Sequence, residues 1–303
     1  MSVCGVANPR APREVVLSRE QGEGRGARVR RSIGGARLRN FDPFLMLDEF
    51  KVGVPAGFPD HPHRGMITVT YVLPKSVGVM DHEDSIGNAG RLAAGDLQFM
   101  LAGRGILHAE VPGDDGAECH GLQLWVNLPA RHKMDAPEYQ ELRANELKTA
   151  SSDGVDAVII AGEAFGVSSQ IRTGPSPVHY VHFKMSPGTV LKHAIPVGWN
   201  AFAYTLSGSA DFGSGDVVGA HHTVTFSNDA SEDGVVVRAS PHEEGAEFVL
   251  ISGQPHGEPI VQHGPFVMNT NEEIMQAFSD FQGGKNGFES VRGWRSEIQY
   301  RTR

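Results

Sequence analysis

Apolar residues recur along this chain in short alternating runs, not in long helical stripes. Residues 67–73 read Ile-Thr-Val-Thr-Tyr-Val-Leu, a period of two in β-branched and aromatic residues that predicts a strand. Similar runs predict strands at 15–17, 27–33, 97–101 and 121–128, and a buried strand opened by a Pro turn at 41–48. Gly-rich punctuation at Gly87-Asn88-Ala89-Gly90, Ala94-Gly95-Asp96 and Gly103-Arg104-Gly105 predicts turns between them. Residues 129–148 are polar and carry Pro137, and the linker is placed at 136–150. Strands resume at 155–160, 180–183, 201–206, 223–226, 235–237 and 248–251.

One segment has a helical period. Asn269-Thr270-Asn271-Glu272 resembles an N-cap with a carboxylate three residues on, and Ile274, Ala277, Phe278 and Phe281 then follow at helical spacing. A helix is expected at 270–283, closed by Gly283, with its apolar stripe on a core. The fold class is all-β: two tandem antiparallel β-barrels with one C-terminal helix. The expected domains are 1–135, the linker 136–150, and 151–303 with the helix.

Composition agrees with a packed globular protein: 40% hydrophobic and 21% charged residues, with 37 Gly and 18 Pro among 303 residues. The net charge of −9 argues against direct nucleic-acid binding. Arg25, Arg28, Arg30, Arg31, Arg37 and Arg39 form a local exception. They read either as a solvated strand face or as a docking surface for an acidic partner. Cys4 and Cys119 are too few for a disulfide framework, which favours a reducing interior. No run is long enough for a membrane helix, and residues 1–12 lack the apolar core of a signal peptide, so a frayed tail is expected there.

The chemistry concentrates in two pairs, His61-Pro62-His63 and His108-Ala109-Glu110. Side chains two apart on a strand share a face, so four ligand-type groups can converge if both segments are strands. Three imidazoles and a carboxylate suit iron, manganese, copper, nickel or zinc. His82 is read as a loop residue, His120 as structural and Cys119 as a buried small apolar residue. His132 has no nameable partner. His193 lacks a His-x-His neighbour and His221-His222 point to opposite faces, so the second barrel is expected to bind no metal.

The approach Gly57…His61-x-His63, followed by Gly95…Gly105-x-x-His108, resembles the two motifs of the cupin superfamily. In most cupins a Glu stands four residues after the second histidine; Ile67 is there in this chain, and Glu110 supplies the acid instead. That exchange, with Leu45-Met46-Leu47-Asp48-Glu49-Phe50, Ala102-Gly103-Arg104-Gly105-Ile106-Leu107-His108-Ala109-Glu110 and His263-Gly264-Pro265-Phe266-Val267-Met268-Asn269, resembles the pirin family. Asn286-Gly287-Phe288-Glu289 is closest in wording to animal pirins. The chain departs from the usual family text at Met66, Ile67, Phe99 and Leu101, positions that flank the ligands.

The resemblance implies two cupin-like barrels, with one iron, Fe(II) or Fe(III), held in the first by His61, His63, His108 and Glu110. It implies oxidation of the flavonol quercetin by dioxygen, with Glu110 as ligand and proton acceptor and Leu45, Met46, Phe99 and Met100 as candidate apolar walls. It equally implies a non-catalytic, iron-dependent co-regulator that binds a transcription factor, with the Arg25–Arg39 stretch as the contact. A monomer is expected, because two barrels can bury their own edges. The location implied is intracellular, in nucleus and cytoplasm for a eukaryotic source.

Overall fold

The computed structural model describes residues 5–24, 26–114, 116–242 and 244–302, so Cys4 and Arg25 lie outside the described residues. The strands form two units of antiparallel sheet, each with one seven-stranded and one four-stranded sheet. This is the all-β, two-barrel architecture expected from the alternation.

The first unit holds Glu20–Gly34, Phe44–Ala144 and the chain from His256 onward. Its large sheet runs in the order Glu138–Leu142, Leu97–Leu101, Met66–Val72, Cys119–Asn127, Phe44–Val52, Ala27–Ile33, Glu20–Glu23. Its small sheet runs Phe58–His63, Ile106–Pro112, Met80–Asp84, Ala89–Leu92. Between them one end is filled by Val29, Phe50, Val72, Met80, Leu92 and Cys119. Each large apolar side chain removed from water there contributes roughly 2 kcal/mol. Cys119 is therefore a core residue, as its type suggests.

The second unit holds the described part of Met1–Arg19, Gly35–Pro43 and Asn145–Pro255. Its large sheet begins with Pro12–Leu17, which pairs with His222–Phe226. Its apolar core buries Val181, Phe183, Val224, Phe226, Val235, Val237 and Phe248 together. His193 is buried against it, its ring 5.3 Å from Phe183 between centroids. Burial pushes His193 down to about 4.

Three boundaries differ from the sequence expectation. The stretch 136–150 is not a linker: Glu138–Leu142 pairs with Leu97–Leu101, and Lys148–Ser152 pairs with Val155–Ala161. Both are edge strands, and edge strands are kept polar, so their composition imitates a linker. The helix does not belong with 151–303: the chain from His256 onward joins the first unit, where Phe266, Ile274, Ala277 and Phe288 pack together. Conversely, Pro12–Leu17 leaves the first domain for the second unit. The helix itself spans Asn271–Gly283, and its capping box uses Glu273 instead of Glu272. Thr270 Oγ1 accepts from Glu273 N at 3.2 Å, Glu273 Oε2 accepts from Thr270 N at 3.1 Å, and Gly284 at φ 56° is the C-cap. Among the described residues no helix is long and apolar enough to cross a membrane.

Candidate metal centre

Phe58–His63 and Ile106–Pro112 pair antiparallel, with His108 directly opposite His61 and Ile106 opposite His63. Alternation sends His61, His63 and His108 to one face, where the ring centroids are 4.4 to 4.9 Å apart. One ligand atom from each lies within 4.8 Å of the others, and among the described residues no other such group occurs.

The hydrogen bonds fix which atoms point inward. His61 Nδ1 donates to Pro59 O at 2.8 Å, which leaves the Nε2 lone pair free. That Nε2 faces His108 Nε2 at 3.0 Å. His63 is fully buried, and neither of its ring nitrogens has a hydrogen-bond partner. A buried polar atom left unpaired costs about 1–3 kcal/mol, and a cation between the three rings would satisfy it. Burial lowers the pKa of all three imidazoles, and His63 and His108 lie well below the ordinary 6.5 because neighbouring imidazoles add repulsion. They are therefore neutral at pH 7, the form that binds metal. The residues present fit a divalent transition-metal ion.

Glu110 lies two residues beyond His108, buried on the same strand face. It is not in the three-histidine group. Its Oε1 meets Thr70 Oγ1 at 2.8 Å, and its Oε2 accepts from Gln123 Nε2 at 3.4 Å. Burial pushes its carboxyl up to about 7, against the pull of the Thr70 hydroxyl. Thr70 Oγ1 is also 2.6 Å from Gln123 Oε1, yet it has one proton to give. Either Thr70 donates to an ionised Glu110, with the Gln123 amide turned over, or a protonated Glu110 donates to Thr70, which passes its own proton to Gln123. The pair serves both charge states.

Several contributors escaped the sequence reading. Thr70 and Gln123 are cross-strand partners, and the alternation in 67–73 already placed the threonines on one face. His82 is not in a loop: it is buried on Met80–Asp84, directly opposite Glu110, with Nε2 3.0 Å from Glu141 Oε2. The charged neighbours that made the segment look like a loop are satisfied locally, Asp81 by Arg91 and Asp84 by the Ile86 and Asn88 amides. Trp125 stands edge-on to His63 at 5.1 Å. Of the expected walls, Met46 and Met100 align with Trp125 and Thr68. Phe99 alternates to the other face, opposite Val69, and Leu45 packs with Met66 and Val267. His120 Nε2 binds Glu49 Oε1 at 2.8 Å and His132 Nδ1 binds Asp135 Oδ2 at 2.6 Å, so both have structural partners.

The residue after His63 anchors the hairpin. Arg64 is buried, donating Nε to Arg104 O at 2.6 Å, Nη1 to Asp280 Oδ2 at 2.9 Å and Nη2 to Asn286 O at 2.6 Å, with Phe288 4.7 Å beneath it. Lys133 Nζ holds Gly65 O, Asn127 Oδ1 and Val267 O at 2.7 to 3.0 Å. Gly65 is required at φ +81°, because a Cβ there would stand 1.9 Å from Val267 O.

Three residues of the arginine stretch are paired within the chain, while Arg37 and Arg39 are exposed. Arg28 and Arg30 share Glu20, and Arg31 makes a bidentate pair with Asp48 and reaches Glu23.

A two-barrel fold with a histidine cluster inside one barrel that could hold a metal defines a cupin-type protein. Comparison with known proteins gives the family. A family model described as Pirin matches residues 26–126, and one described as Pirin C-terminal cupin domain matches residues 180–287. The Pirin proteins of Mus musculus and Homo sapiens are each 52% identical over 286 residues, covering 93% of this chain and 96% of theirs. The chain belongs to the pirin family. A crystal structure described as quercetin 2,3-dioxygenase from Acinetobacter baumannii has a TM-score of 0.83 at 30% identity, covering 92% of this chain and 99% of that one.

Proposed function

We propose that this protein is an iron-dependent dioxygenase acting on quercetin or a related flavonol. The observation that carries the reading is the convergence of three neutral imidazoles on one point, with His63 unpaired. Similarity to the Acinetobacter baumannii protein described as quercetin 2,3-dioxygenase supports the substrate class. His61, His63 and His108, with Glu110 as fourth ligand, would hold one iron per chain. The ion supplies Lewis acidity and one-electron chemistry when bound.

The chain's own residues do the rest. His61 is kept in its Nε2-ligand tautomer by Pro59 O. Glu110 accepts the flavonol hydroxyl proton on Oε2, the oxygen with only the long contact to Gln123. Trp125, half-buried beside His63, offers apolar surface for the aromatic rings. The products expected are the ring-opened ester and carbon monoxide.

The rival reading, a redox-dependent transcriptional co-regulator docking through the Arg25–Arg39 stretch, draws less support. Arg28, Arg30 and Arg31 already have acidic partners in the chain.

Iron-loaded protein incubated in air with quercetin tests the proposal. Loss of flavonol absorbance with carbon monoxide release is expected, and His61→Ala should abolish both. No turnover of any flavonol by protein carrying one iron per chain would end it.

A further inference from the structure

The three strands that carry the site have a second occupied face. On Phe58–His63, His61 and His63 point to the site, while Asp60 points away and accepts from Ser296 Oγ at 2.5 Å and Ser296 N at 3.4 Å. On Ile106–Pro112, His108 and Glu110 point to the site, while Ala109 and Val111 pack with Ile298. On Met80–Asp84, His82 points to the site. Its neighbours Glu83 and Asp81 instead accept from Glu297 N and Arg301 Nη1, each at 2.6 Å. Ser290 Oγ, finally, donates to Ser85 Oγ at 3.1 Å. One layer of backbone thus separates the candidate ligands from residues 290–301.

We propose that residues 290–301 form a metal-responsive strap, whose docking on the outer face and ligand convergence on the inner face stabilise each other. The inference rests on the reading that the histidine cluster holds a metal. The coupling has a short path. Asp60, gripped by Ser296, lies between Pro59, whose carbonyl sets the His61 tautomer, and His61 itself. Ala109, under Ile298, lies between His108 and Glu110. Arg64, next to His63, fixes the segment that leads into the strap through Asn286 and Phe288. A bound ion that draws the three rings together orders the same backbone that presents Asp60, Ala109 and Val111. Linkage then requires that releasing the strap weaken the ion, and that removing the ion loosen the strap.

The experiment uses the full chain, Co(II) or anaerobic Fe(II) as the metal alone, and trypsin, for which exposed Arg292 and Arg295 flank the docking contacts. Metal should slow cleavage at these two arginines about tenfold, within the usual range of site-to-site coupling. Ile298→Asp should speed that cleavage and weaken metal about tenfold by chelator competition. Ser296→Ala is the milder variant, should Ile298→Asp fail to fold; it should move both readings in the same direction and shift the visible bands of the Co(II) form. Equal cleavage with and without bound metal would overturn the strap while leaving the metal centre standing. So would unchanged metal affinity in a variant whose strap is cut faster. A chain that binds no metal would remove both readings together.

Discussion

His61 and His108 stand opposite each other across the ligand hairpin, with their Nε2 atoms 3.0 Å apart and no water-facing alternative for His108, which is 1% exposed. Two neutral imidazoles in that relation share at most one proton. The third ring, His63, has no such partner and is costly without a cation, which generates the first expectation.

His63→Leu should stabilise the metal-free fold while abolishing metal binding. The substitution removes two unpaired buried nitrogens and keeps a side chain of similar size. The gain expected is about 1–2 kcal/mol in urea unfolding of the metal-free protein. Elemental analysis should find the variant without metal.

Thr70→Val should raise the carboxyl of Glu110 further. The hydroxyl is the group that opposes burial, and without it the ionised form loses its best donor. In the proposed reaction Glu110 works as a base, so the acid limb of the pH–activity profile should move to higher pH. The midpoint of that limb in quercetin turnover is the measurement.

Arg64→Met should cost about 3–5 kcal/mol, because it leaves Asp280 charged in the interior without its guanidinium, held by the Gln276 and Asn286 amides. The two side chains are 1% and 2% exposed, so solvent cannot substitute for the missing partner. Arg64→Lys should rescue little, since an ammonium cannot reach Arg104 O, Asp280 and Asn286 O with planar, separated donors. Denaturant unfolding reads both variants.

His193 gives the second unit an acid sensitivity. Its folded value of about 4 lies below the ordinary 6.5, so between these values the unfolded chain binds more protons than the folded one. Stability from this group is complete above about pH 6.5 and is lost as pH falls toward 4, by about 3 kcal/mol in total. His193→Gln should flatten that part of the stability–pH curve, as followed by thermal unfolding at several pH values.

The face shared by His61 and His63 and the helix were readable because each is local: two residues on a strand, or four residues at a cap, carry their own geometry. Pairings across long separations were not. Arg64 and Asp280 are 216 positions apart, and neither has a neighbour in sequence that announces the other. Polar edge strands such as Glu138–Leu142 resemble linkers for a physical reason, since exposed edges are protected by charge. His82 was hidden by the acids around it, whose partners Arg91, Arg301 and Asn88 become visible only once the sheet is formed. The Thr70–Gln123 support of Glu110 was half legible, through the alternation that put Thr68 and Thr70 on one face.

The first unit is completed by the chain from His256 onward, which the ribosome makes after every strand of the second unit. At about 5–20 residues per second, roughly seven to thirty seconds separate the emergence of Cys119–Asn127 from that of the segment that seals Arg64 and Lys133. The unit that takes most of the first 144 residues is therefore completed last. Until then its histidine hairpin lacks Asp280, Val267 and Ser296, and a nascent chain has no fully braced cage in which to retain an ion.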